Sequence, residues 1–282
     1  MKKAAIYLVL ILSLNAFVAS AQQFSIPQPS TQQIITQNFG LGQITLTYSR
    51  PNVKGRKVFG YMEPYGLVWR TGANSATTIK LSDSVTIEGK MVPAGEYALF
   101  SIPGEKQWVF ILNKTAKQWG AYNYKESDDL MRFTVPVEKI AEPIETFTLQ
   151  FADASLNNCT LQMDWDNTRA CLHFKTDVDA QVMQNIDNAM AKSDKKPYYF
   201  ASIYYYNNNK DMKKALGWIT EADKNQPNSF NIKYWKARIE LKAGDKKTAI
   251  ATATEGVKIA TDENNAEYIR LNKEVIAEAE KG

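Results

Sequence analysis

The 282-residue sequence predicts an α+β protein whose two kinds of structure are segregated along the chain. An antiparallel β-sandwich, with a β-barrel as the alternative, comes first, and an all-α helical-repeat domain follows. Three observations carry this. Short runs rich in Val, Ile, Thr, Tyr and Phe recur between Gly, Pro and Asn clusters as far as Phe174. The hydrophobic period becomes helical near Thr176. Two later segments then repeat each other at about 34 residues, a spacing of helical-hairpin repeats.

The strand runs are Gln43 to Tyr48, Ala76 to Leu81, Ser84 to Glu88, Glu96 to Ile102 and Trp108 to Leu112, then Arg132 to Val137, Glu145 to Phe151, Asn158 to Trp165 and Arg169 to Phe174. With no helical spacing between them, antiparallel connections are favoured over crossover helices. Asp166-Asn167-Thr168 reads as the turn of a hairpin. That pairing sets Cys171 opposite Met163 and leaves Cys159 beyond bridging distance, so two buried thiols on the core face are favoured over a disulfide.

Residues 176–282 form the helical domain. Thr176-Asp177-Val178-Asp179 is a capping-box pattern that opens a helix. Asp211, Ala215, Ala222 and Pro227 fit the second helix of a tetratricopeptide repeat, and Asp245 and Ala249 stand one period later. The second copy departs from the pattern at Gly256, where alanine is expected, and at Glu240, where an aromatic is expected. Such repeats present their first helices to peptide segments, which places Tyr204, Asn207, Tyr234 and Arg238 on the candidate protein- or peptide-partner groove.

At the N-terminus, Lys2 and Lys3 precede an apolar stretch from Ala4 to Leu14, and Ala19-Ser20-Ala21 supplies small residues at cleavage-site spacing. Residues 1–21 therefore read as a signal peptide cut near Ala21, the chain is expected to be exported to the periplasm or beyond, and residues 22–175 form the β domain. No later run is apolar enough to span a bilayer. Without the leader, basic and acidic residues number 32 and 30. That near-balance offers no footprint for nucleic acid.

The charge is concentrated locally. Between residues 50 and 70 lie Arg50, Lys54, Arg56, Lys57 and Arg70 with the single acid Glu63, followed by Thr71-Gly72-Ala73-Asn74. Guanidinium forks and free N–H groups in such loops suit a carboxylate, phosphate or sulfate. The candidate ligand-binding set is therefore Arg50, Lys54, Arg56, Trp69, Arg70 and Asn74, with Tyr61 and Tyr65 as further aromatics. Set against this, loop arginines also tie down neighbouring carbonyls and carboxylates, with Asp128, Asp129 and Glu63 as available partners.

Other chemistry has little support. His173 is the only histidine, and it reads as held by hydrogen bonds rather than as a catalytic base. Cys159, Cys171 and His173 lack the close cysteine pairing of a zinc site, and Asp164 and Asp166 lack the bidentate acid of an EF-hand. No P-loop, Rossmann loop or nucleophile elbow is present. No metal and no cofactor are implied. Three function classes remain: a module binding an anionic or glycan-type ligand, a scaffold acting through the helical repeats, and a hydrolase using carboxylates such as Asp128 or Asp129.

The strings Tyr48-Ser49-Arg50-Pro51, Lys54-Gly55-Arg56 and Trp69-Arg70-Thr71-Gly72-Ala73-Asn74 continue with Gly89-Lys90, Pro93-Ala94-Gly95, Tyr97, Ile102-Pro103, Trp108, Asn113-Lys114 and Trp119-Gly120. In these motifs the sequence from about Pro27 to Phe174 resembles the exported bacterial proteins of the domain of unknown function 2911 family. The resemblance implies an exported β domain from a Bacteroidetes-type bacterium, leaves the helical tail outside it, and assigns no catalytic residue.

Overall fold

A computed structural model describes residues 26–192 and 194–281. The expected signal peptide falls outside the described residues. The chain divides after Asp177 into two compact units.

The first unit is one nine-stranded, entirely antiparallel sheet in the order β1-β2-β3-β6-β7-β8-β9-β4-β5, open between its edge strands β1 and β5. Its strands are β1 (Thr31–Phe39), β2 (Gly42–Arg50), β3 (Thr77–Leu81), β4 (Val85–Ile87), β5 (Lys90–Val92), β6 (Gly95–Ile102), β7 (Gln107–Asn113), β8 (Asp129–Ala152) and β9 (Asn158–Lys175). Alternation sets the faces: Ile44, Leu46 and Tyr48 of β2 enter the core while Thr45 and Thr47 face outward. The centre of that core is aromatic. Phe59 meets Trp108 edge to face at 4.8 Å, and Trp69 packs on Phe147 at 5.3 Å and stacks on Trp165 at 5.7 Å.

β6 and β7 are buried on both faces. Leu99 and Phe110 belong to the main core, whereas Ala98, Phe100 and Ile111 form a smaller cluster with Ala121 and Tyr124 of the segment after β7. A polar loop thus roofs the outer face of the sheet.

Two readings of the strand pattern need correction. The runs Arg132 to Val137 and Glu145 to Phe151 are one 24-residue strand, β8, whose first part pairs with β7 and whose second part pairs with β9. Likewise, Asp166-Asn167-Thr168 is no hairpin turn, because β9 runs through it. The register with β8 slips there, Asp166 takes φ 51°, and the buried set passes from Cys159, Leu161, Met163 and Trp165 to Ala170, Leu172 and Phe174. The local Asp-Asn signal marks a bulge and bend. So strong is the bend that Thr176 N–H donates to the Asn157 carbonyl at 2.9 Å, bringing the ends of β9 together. Cys159 and Cys171 are free thiols, each pushed up to about 11 by burial, with Cys159 in the core and Cys171 only half-buried.

The second unit comprises six helices, α1 (Asp179–Lys192), α2 (Tyr198–Asn207), α3 (Met212–Asn225), α4 (Phe230–Lys242), α5 (Lys246–Asp262) and α6 (Ala266–Lys281). α1 begins at Asp179, so Thr176 is not its cap; its backbone N–H is used by Asn157. The 34-residue offset has a structural counterpart. Asp211 accepts from the N–H groups of Lys213 and Lys214 at the start of α3, and Asp245 accepts from Thr248 N–H at the start of α5.

Gly256, where the sequence pattern predicts alanine, has a visible reason to be glycine. A Cβ there would lie 2.7 Å from Cγ of Asn272, a fully buried side chain on α6 whose Nδ2 donates to the Tyr268 carbonyl. Lys233, also buried, is held by Asp223 at 2.8 Å and Glu255 at 3.0 Å, while Lys236 takes the other Asp223 oxygen at 2.7 Å. Among the described residues, no helix is long and apolar enough to cross a membrane.

Candidate functional site

The basic loops are built on rigid supports. Trp69 exchanges backbone hydrogen bonds with Ser101 of β6, at 2.7 and 2.9 Å, and its indole N–H closes onto the Gly72 carbonyl at 3.1 Å. Thr71 Oγ1 bonds Ser101 Oγ at 2.9 Å, and Thr77 Oγ1 donates to the Thr71 carbonyl at 2.6 Å. Gly72 takes φ 147°, and a Cβ there would stand 2.8 Å from the Ser49 carbonyl, so only glycine lets the loop pass β2 this closely. Asn74 donates to the Ser30 carbonyl at 3.1 Å and to Ser49 Oγ at 3.3 Å.

Within Trp69-Arg70-Thr71-Gly72-Ala73-Asn74, then, most side chains fasten the loop. Arg70 differs. It lines an open pocket of about 490 Å³ together with Lys54, Arg56, Glu63, Met62 and Trp165. Its Nε is buried and has no hydrogen-bond partner among the described residues. An unpartnered buried guanidinium N–H costs desolvation that no internal acceptor offsets.

Lys54 and Arg56 reach the pocket from the turn after β2. Lys54 N–H is taken by Glu145 Oε1 at 2.8 Å, while its side chain is exposed. Arg56 is partly used by its own loop: Nε donates to the Val53 carbonyl at 2.9 Å and Nη2 to the Asn52 carbonyl at 2.5 Å. Arg50 does not line the pocket. Its Nε bonds the Phe147 carbonyl at 3.1 Å and its Nη2 bonds Thr148 Oγ1 at 2.8 Å, tying the end of β2 to β8.

The structure therefore brings Lys54, Arg56 and Arg70 together and places Arg50, Trp69 and Asn74 in supporting contacts. Trp69 is core, Tyr61 is exposed, and Trp165, which underlies the pocket, is fully buried. Among the described residues, none of the five basic side chains of this stretch forms an ion pair. Asp128 and Asp129 are engaged elsewhere, by Thr115 Oγ1 at 3.0 Å and by Tyr124 and Arg132 at 2.7 and 2.8 Å.

Glu63 is the member that sequence reasoning weighed only as a partner for arginines. Burial pushes its carboxyl up to about 7, against the opposing pull of Arg70, Arg56 and the Trp69 indole. Near neutral pH the site thus holds two guanidiniums, an ammonium and a carboxyl poised between donor and acceptor.

His173 is exposed on β9, with Nδ1 2.8 Å from Glu88 Oε1 and its backbone N–H donating to the same oxygen at 2.7 Å. Among the described residues, no group of three or more His, Cys, Asp or Glu side chains is placed to hold a metal.

Of the four candidate groove residues of the helical unit, Tyr234 and Arg238 engage each other. Arg238 donates to Tyr234 Oη at 2.8 Å and to Tyr206 Oη at 2.9 Å, and lies over the Tyr206, Tyr234 and Trp235 rings. Tyr204 Oη donates to Asp179 at 2.8 Å, Tyr234 is buried, and Asn207 is exposed.

No curated protein and no solved structure matches the chain. Residues 30–174, just over half of the chain, match the family model described as protein of unknown function (DUF2911), and the chain belongs to that family.

Proposed function

We propose that the β unit is a binding module for an anionic ligand, a carboxylate, phosphate or sulfate group such as an acidic glycan carries, seated at Lys54, Arg56 and Arg70. The observation that carries the reading is the buried, unpartnered Nε of Arg70 on a pocket with two further cations and no ion pair. A purely structural arginine would end on internal acceptors, as Arg50 does; Arg56 does so through Nε and Nη2 and leaves Nη1 for a ligand. Glu63, protonated, would add a donor to the anion; ionised, it would oppose it.

The test is a thermal-shift screen of the full chain against phosphate, sulfate, acidic and neutral oligosaccharides and peptidoglycan fragments. A ligand at 100 times its dissociation constant stabilises by about 2.7 kcal/mol. The expected result is a shift for an anionic compound that Arg70→Ala abolishes; an unchanged shift in that variant rejects the site.

A second reading concerns the helical unit, as two tetratricopeptide-like hairpins, α2–α3 and α4–α5, between flanking helices α1 and α6, acting as an interaction scaffold. The paired caps Asp211 and Asp245 support the repeat. The leader-like N-terminus supports export, and the passage of β8 from one strand pairing to another supports a sandwich-like packing of the sheet.

A further inference from the structure

The outer face of the sheet carries a second pocket, of about 370 Å³, that shares no lining residue with the basic one. Its floor is polar. Gln32 of β1 lies opposite Ser49 of β2, and Thr47 of β2 lies opposite Thr78 of β3, so the ladder sets four hydrogen-bonding side chains beside one another. Its wall is the segment after β7, with Gln118 and Trp119. Ala76 N–H donates to the Gln118 carbonyl at 2.9 Å and Gly120 N–H to the Asn74 carbonyl at 3.0 Å, which fixes the backbone on both sides of Trp119.

On that rigid mount the indole of Trp119 remains 62% exposed. A tryptophan held in water forgoes the burial that usually justifies its size. Gln118 has a complementary feature. Its amide nitrogen is committed to Asn113 Oδ1 at 3.1 Å and the Thr115 carbonyl at 2.6 Å, which settles the orientation of the amide. The other end, Oε1, is buried without a partner among the described residues. The pocket therefore offers an aromatic face and hydroxyls able both to donate and to accept, beside a buried amide oxygen that a small shift of Gln118 would bring to a ligand.

We infer that this pocket binds a neutral sugar residue, its C–H face stacked on Trp119 and its hydroxyls bonded by Gln118 Oε1 and the Gln32, Ser49, Thr47 and Thr78 side chains. A hydroxyl-rich ring with one apolar face matches each feature, whereas a phosphate or carboxylate does not. Lys117 is the one charged side chain lining the pocket, and Gln118 meets the ligand with an acceptor. The volume is that of a small-ligand site, at the lower end of the roughly 300–1,000 Å³ range. The inference is independent of the anionic ligand proposed for Arg70.

The experiment is calorimetric titration of the full chain with five neutral tetrasaccharides: maltotetraose, cellotetraose, xylotetraose, mannotetraose and tetra-N-acetylchitotetraose. At least one is expected to bind. Trp119→Ala should weaken it about tenfold or more, Trp119→Tyr should restore most of the affinity, and Gln118→Leu should weaken it severalfold. Arg70→Ala should leave it unchanged, so that loss of the basic pocket is distinguishable from loss of this one. Binding of none of the five at millimolar concentration, or equal binding by a folded Trp119→Ala variant, overturns the inference.

Discussion

The indole rings of Trp69 and Trp165 stack at 5.7 Å and within 14° of parallel, and the pocket that Arg70 enters is lined by the second of these rings. Arg70 is thus displayed one residue beyond a core anchor.

Arg70→Met tests the balance between stability and binding. An apolar side chain of similar length removes the unpartnered N–H, so the ligand-free protein should be unchanged or stabilised by up to about 1 kcal/mol. The same variant should show no anion-dependent shift. A thermal melt with and without the anion found in the screen measures both.

Glu63 makes the site pH-dependent. Its carboxyl is pushed up to about 7 in the folded state, against an ordinary value of 4.5. The native protein then holds a proton that the unfolded chain has released, so stability should fall as pH rises from about 4.5 to about 7 and level off above. An anion beside Glu63 favours the protonated form, so binding should tighten from pH 8 to pH 6 with proton uptake. Glu63→Gln should flatten both trends, as read by denaturant unfolding and by calorimetry in buffers of different ionisation enthalpy.

Gly72→Ala should destabilise the β unit by about 1–3 kcal/mol, because φ 147° disfavours a side chain and the added Cβ meets the Ser49 carbonyl at 2.8 Å. Urea unfolding followed by tryptophan fluorescence reports it.

In the helical unit, burial pushes the Asp223 carboxyl up, but the ammonium groups of Lys233 and Lys236 outweigh burial and hold it below its ordinary value. Its contribution is present above pH 4 or so and is lost as pH falls further. Asp223→Asn should cost about 3 kcal/mol, because Lys233 is then buried against Glu255 alone. Helical circular dichroism during denaturation measures the loss.

Strands rich in β-branched and aromatic residues between turn clusters were legible in the sequence, β2, β3, β6 and β7 among them. β1 was not, because as a polar edge strand it buries only Phe39 and so carries no hydrophobic period. The continuity of β9 through Asp166 was hidden because Asp-Asn marks a turn and a bulge equally well. At the site, the cluster of cations was visible as composition. Which of them reach the pocket depends on the Phe147 carbonyl and Thr148 hydroxyl of β8, remote in sequence, that capture Arg50 and not Arg70. The neutral pocket beside Trp119 left no trace, since its parts come from β1, β2, β3 and the loop after β7.

Gly256 and Asn272 behave as a single heritable character. A methyl at 256 collides with the amide at 272, and a smaller residue at 272 leaves a void against the glycine, so neither position can drift first without passing through a weaker chain. Descendants of this sequence should change both or neither, and across relatives the two columns should covary, with alanine at the first wherever the second is small.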